Sequence, residues 1–166
     1  MSESYESIVE YNRNLASLWE KNHPPIESVY TVISDSLVER KVVEIPKDSK
    51  YMDYLEQDPP MLKQCYDNAL AFVMKFPDFN YVLGYSMSVI PVTHAWVSKD
   101  GVHYDPTAQI LDLNLMAYGE VKSFNFKELM RVIGEVECAP MLEHMHVWAG
   151  DACRISTGGI PNVLEC

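Results

Sequence analysis

The chain has 166 residues, with 13 lysines and arginines against 24 aspartates and glutamates and a formal net charge of −11. That balance argues against gripping nucleic acid through phosphates and against docking on an anionic membrane, because both need clustered cations. The length suits one domain, and 48% apolar with 22% charged residues is an ordinary globular mix.

No stretch approaches the roughly 20 apolar residues of a membrane span. The first residues, Met1-Ser2-Glu3-Ser4-Tyr5-Glu6, are polar and acidic. A secretory signal starts basic and turns apolar, so a cytoplasmic protein is expected. Cys65, Cys138, Cys153 and Cys166 form no C-x-x-C pair and are expected to be free thiols.

In chain order, Tyr5, Ile8, Val9, Tyr11, Leu15, Leu18 and Trp19 recur at three-to-four spacing and predict a helix over 4–20. His23-Pro24-Pro25 ends it. The Val/Ile-rich stretch 28–45 predicts strands near Val29–Ser34 and Ser36–Ile45, and Pro46-Lys47-Asp48-Ser49 a turn. Residues 49–60 are polar. A second helix is expected from about Met61 to Lys75, placing Cys65 near its first turn. Strands follow at Tyr81–Val89, with Gly84 a candidate bulge, and at Thr93–Ser98. Asp100-Gly101 signals a hairpin returning through Val102–Tyr104. Residues 111–124 give no clear pattern. Asn125 opens and Gly134 closes a helix over Phe126–Ile133. Val136–Trp148 reads as a further strand or two. The expectation is a single α+β domain over 1–166, with an N-terminal helix within 1–25 and an irregular tail over 149–166.

Three short blocks carry possible chemistry: Gln64-Cys65-Tyr66-Asp67-Asn68 at a helix start, His94-Ala95-Trp96 on a strand, and Tyr104-Asp105-Pro106-Thr107 after the next strand. The thiolate is the nucleophilic form of cysteine, and a helix N-terminus favours it. An imidazole can take the thiol proton, and it needs an acceptor on its other nitrogen to fix the tautomer. A four-residue hairpin loop puts His94 opposite Asp105. A two-residue loop puts His94 opposite Thr107, with Asp105 diagonal. In both cases His94 and Asp105 share one sheet face, because side chains alternate along a strand. Taken singly, each residue also has a plain structural reading: a packed cysteine, a buried histidine, an aspartate cap.

The order of these blocks resembles the papain-like cysteine hydrolases. The His-Ala-Trp, Asp-Gly and Tyr-Asp-Pro-Thr hairpin looks most like their transglutaminase-like and amidase-like branches. The resemblance covers about residues 62–107. It implies Cys65 as nucleophile, His94 as general base and Asp105 as orienting carboxylate. It also implies a nucleophile-bearing helix packed on an antiparallel sheet. Papain's oxyanion glutamine has no counterpart at its spacing, since Gln57 and Gln64 are the nearest. The hole is then expected from the Cys65 backbone N–H with Gln64 or Asn68, or else Asn68 packs behind the nucleophile. Trp96 is a candidate for substrate binding.

The leading expectation is a thiol hydrolase or acyltransferase acting on an amide, ester or thioester, with a peptide or small acyl substrate and no cofactor. The alternative is a non-catalytic acidic binding or inhibitory protein on the same scaffold, with a basic protein partner. A weaker candidate is a metal site at His144 and His146, with Cys153, Asp151 or His103. No nucleotide-binding glycine motif is present.

Overall fold

In a computed structural model, residues 2–22 and 29–145 are described. Helix α1 spans Glu3–Asn22 and buries Tyr5, Ile8, Asn12 and Ala16, one residue every three or four. Next comes helix α2, Val29–Ser36, where the β-branched composition predicted a strand. The period that matters is that of the buried residues. Tyr30, Ile33 and Leu37 are spaced by three and four, and α2 packs on α1. Tertiary burial overrides local propensity here.

Two short strands follow, β1 at Val38–Arg40 and β2 at Val42–Val43. Ser49 then caps helix α3, Lys50–Gln57, by accepting from the Met52 amide. The sequence reading left this segment without an element. Its tyrosines, Tyr51 and Tyr54, pack edge-on against Phe76 of the chain that follows. Helix α4 is Cys65–Lys75, so it begins at the cysteine and not at Met61.

The central hairpin is β3, Asn80–Met87, and β4, Pro91–Lys99, paired antiparallel along their full length. Strand β5, Val102–Tyr104, returns along β4 through the two-residue loop Asp100-Gly101. Both loop residues have positive φ, 52° and 78°, the geometry that suits a right-twisted hairpin. Helix α5, Pro106–Ile110, turns the chain away. Strand β6, Ala117–Phe124, lies in the stretch that gave no clear pattern. Helix α6 is Phe126–Val136, opened by a reciprocal cap between Asn125 and Glu128. Gly134 does not end it. Glu137 takes the left-handed position at its C-terminus instead, at φ 59°. Of the strand or two expected over Val136–Trp148, residues 136–145 are described, and they form this helix end and a 3-10 turn at Leu142–His144; the rest lies outside the described residues. The expected irregular tail over 149–166 lies outside the described residues.

The six strands form one sheet in the order β1-β6-β3-β4-β5-β2. All neighbours are antiparallel except β2 and β5, which run parallel. The fold is therefore α+β. Helices α1, α4 and α6 pack on the sheet. They bury Tyr81, Leu83, Tyr85, Ala95, Val97 and Phe124 in the main core. The alternate residues of the same strands face the other way. There Val82, Trp96 and Tyr118 form a second, smaller cluster. Buried polar side chains join it in register: Ser86, His94, Ser98 and His103. One face of the sheet is oily, and the other mixes apolar with buried polar side chains.

Candidate active site

Along β4, strand β5 pairs with Val97–Lys99, so among the described residues the His94 half of β4 has no strand neighbour on that side. Helices α4 and α5 both pack against β4. Extending the observed register puts Thr107 opposite His94 and Asp105 diagonal to it. This is the two-residue-loop geometry, and it sets His94 and Asp105 on one face.

The three residues make a continuous chain of contacts. The Cys65 thiol is hydrogen-bonded to the His94 ring. His94 Nε2 lies 2.6 Å from Asp105 Oδ2, so Nε2 carries the proton and Nδ1 is the nitrogen left for the thiol. Asp105 Oδ1 accepts from the Ala108 amide at 3.0 Å, which caps α5. Asp105 thus caps α5 with one oxygen and meets the His94 ring with the other.

Burial and charge oppose each other here. Burial alone would depress the His94 imidazolium, but the charge and hydrogen bond of Asp105, with the Cys65 thiol, outweigh it and hold it above the ordinary range. Burial would likewise push the Asp105 carboxyl up, but His94, the Ala108 amide and the Tyr118 hydroxyl bring it down. Tyr118 donates to Asp105 Oδ2 at 2.9 Å. The sequence reading did not single out this residue, because the segment carrying it showed no clear period.

The remaining candidates fall elsewhere. Asn68 is occupied: its Oδ1 accepts from the Met61 amide at 3.0 Å, and its Nδ2 donates to the Met61 carbonyl at 2.8 Å and to Thr107 Oγ1 at 3.2 Å. It ties the segment before α4 to α4 and α5. Its amide is thus turned to Met61 and Thr107. Gln64 holds the N-cap position without a side-chain capping bond. It borders a cavity of about 270 Å³ together with Tyr54, Met61, Asn68 and Pro106. Trp96 is fully buried, its ring stacked 6.1 Å from that of His94. Its indole N–H donates to His103 Nδ1 at 3.0 Å, so it supports the histidines from within and offers no surface to a substrate in this conformation.

His144 sits on the 3-10 turn and not on a strand. Its Nδ1 accepts from the Met141 amide, and Nε2 is 4.0 Å from Cys138 Sγ. His146, Asp151 and Cys153 lie outside the described residues. Among the described residues, no group of three or more His, Cys, Asp or Glu side chains is placed to hold a metal ion. Nor is any helix there long and apolar enough to cross a membrane.

Comparison of the chain with protein-family models, curated proteins and solved structures finds no match to any of them.

Proposed function

We propose that the protein is a thiol hydrolase or acyltransferase of papain-like type, acting on an amide, ester or thioester through Cys65. The observation that carries this reading is the contact chain Cys65–His94–Asp105, which begins at the first residue of a helix. Free N–H groups and the positive end of the dipole at that terminus favour an anionic sulfur. An imidazole held protonated beside it supplies the counter-charge.

In the proposed reaction the Cys65 thiolate attacks the acyl carbon. A C–S bond forms and the carbonyl electron pair moves onto oxygen. The Cys65 backbone N–H, with Gln64 beside it, is the nearest donor set for that oxygen. Collapse of the intermediate breaks the bond to the leaving group, which takes the proton from His94. Water or an amine then loses a proton to His94, attacks the thioester and frees Cys65. Peptide or small acyl substrates suit the reaction, which needs no cofactor.

Only 1% of Cys65 is exposed, so the cycle requires the segment around the thiol to open. This burial is also the specific observation behind a second reading, a binding or inhibitory protein that keeps the constellation as buried support. One experiment separates the two. Native protein is treated briefly with limiting iodoacetamide from acid to alkaline pH, and adducts are mapped by mass spectrometry. An acyl hydrolase modifies Cys65 faster than Cys138, Cys153 and Cys166 and at lower pH, and His94→Ala slows that reaction at neutrality. Protection of Cys65 at every pH favours the binding reading.

A further inference from the structure

The Asp105 carboxylate accepts from three elements at once. His94 Nε2 comes from β4 and the Ala108 amide from α5. The Tyr118 hydroxyl comes from β6, two strands away from β4 in the sheet. Strand β3 lies between, and there Gly84 stands opposite His94 with no side chain to block that face. The Tyr118 ring packs edge-on to Trp96, with centroids 5.4 Å apart, and tilted to His94 at 6.2 Å. Its hydroxyl is not needed for that packing.

We propose that Tyr118 is a positioning residue: its hydroxyl fixes Asp105 Oδ2, and through it the direction in which the His94 ring faces Cys65. This rests on the acyl-transfer reading for its purpose, but not for its geometry. A carboxylate can rotate about its own Cα–Cβ and Cβ–Cγ bonds. The Ala108 amide holds Oδ1, which leaves Oδ2 to swing with the imidazole. A second donor on Oδ2 removes that freedom and keeps the buried carboxylate ionised. The phenol acts as the donor because burial, then the nearby Asp105 charge, pushes its own ionisation far upward. The other titratable groups at hand are Cys65 of α4, reached through His94, His103 of β5, which is turned to Trp96, and Arg40 of β1, which stands opposite Tyr118 and pairs with Glu120 of β6.

The test compares wild type with Tyr118→Phe, which keeps the ring and deletes the hydroxyl. Two measurements are made on each. The first is the pH profile of Cys65 alkylation. Its acid limb is expected to move up by about one to two units, the size of one lost hydrogen bond to a charged group. The second is the NMR signal of the His94 Nε2 proton, expected to exchange with water at least about tenfold faster. Thermal unfolding of both proteins checks that the ring still packs. If the His94 signal and the acid limb stay where they were, the positioning role is overturned and the thiol reading stands. If wild-type Cys65 shows no selective reactivity, the thiol reading falls, and the His94 proton alone decides Tyr118: faster exchange supports it, unchanged exchange overturns it.

Discussion

His94 and His103 lie on the same face of the same sheet, both buried, on either side of Trp96. Their charges are pushed in opposite directions. His94 is held protonated above the usual imidazole range despite its burial. His103 is pushed below that range, first by burial. Each has a carboxylate for company, so the presence of an acid does not explain the difference. The carboxylate beside His94 is 2.6 Å away and, among the described residues, is paired with no lysine or arginine. The one beside His103, Glu120, is 3.7 Å from Nε2 and already holds Arg40 at 2.5 Å. His103 also spends Nδ1 as an acceptor for the Trp96 indole, which requires that nitrogen to be unprotonated. A buried histidine takes the charge its neighbours leave open to it, and only the His94 arm is arranged for an ion pair.

The largest effect is expected from Asp105→Ala, which strips the His94 arm of its anion. Breaking one partner out of a buried pair costs about 3–5 kcal/mol, measurable by urea unfolding. Cys65 alkylation at neutrality should fall by about 10²-fold or more. A stability loss under about 1 kcal/mol would mean that the pair is not ionised in the fold.

Gly84→Ala strikes both arms. Gly84 stands opposite His94 on β4 and opposite Glu120 on β6. A Cβ there would sit 2.0 Å from the Gly119 carbonyl oxygen and 2.8 Å from the Trp96 ring. Backbone cannot yield as a flexible side chain does, so about 3 kcal/mol of destabilisation is expected. NMR should show both histidine rings shifted. Movement of only one would place the bulge outside their shared support.

The pH dependence of unfolding sharpens the contrast next. The raised His94 contributes stability that is complete below about pH 6.5, its unfolded value, and is lost as pH rises through the folded one. The lowered Asp105 contributes above about pH 4 and is lost as pH falls through its folded value. Their pair therefore supports the fold most fully between these two limits. The lowered His103 acts in the opposite sense, with stability lost as pH falls through its folded value. Denaturation midpoints across this range should show the His94 contribution vanish in His94→Gln, with the acid-side loss from His103 retained.

The smallest effect is expected from Arg40→Gln. Arg40 holds His103 down and occupies Glu120. Removing it should raise the His103 pKa and leave His94 unmoved, as read by ring-proton titration. A matching shift in His94 would show that the two arms communicate through Trp96.

Much of this was legible in the chain because it rests on local period and local turns. The α1 stripe, the Asn125 cap and the Asp100-Gly101 hairpin all declare themselves within a few residues. The hairpin even limits the registers available to His94 and Asp105. What escaped depends on distant partners. The stretch Val29–Ser36 has strand-like composition, and only packing on α1 makes it a helix. Strand β6 mixes Gly119, Glu120 and Lys122 into its faces because a bulge at Leu83/Gly84 shifts its pairing. With β6 unread, no local signal could bring Tyr118 to Asp105. Trp96 reads as a surface for substrate until β3 and β6 enclose it, and the sequence leaves Asn68 open between an oxyanion donor and a residue packed behind Cys65, because its partners Met61 and Thr107 cannot be read from local pattern.

Asp105 uses its two oxygens for different tasks. Oδ1 anchors the first turn of α5, and Oδ2 anchors the imidazole. A single proton added to this carboxyl weakens both at once. Fraying of α5 and release of the His94 ring are therefore the same event seen from two sides. The backbone amide of Ala108, which donates to Oδ1, becomes a gauge of it. Its hydrogen exchange should quicken over the same pH interval in which the His94 ring is released from Asp105.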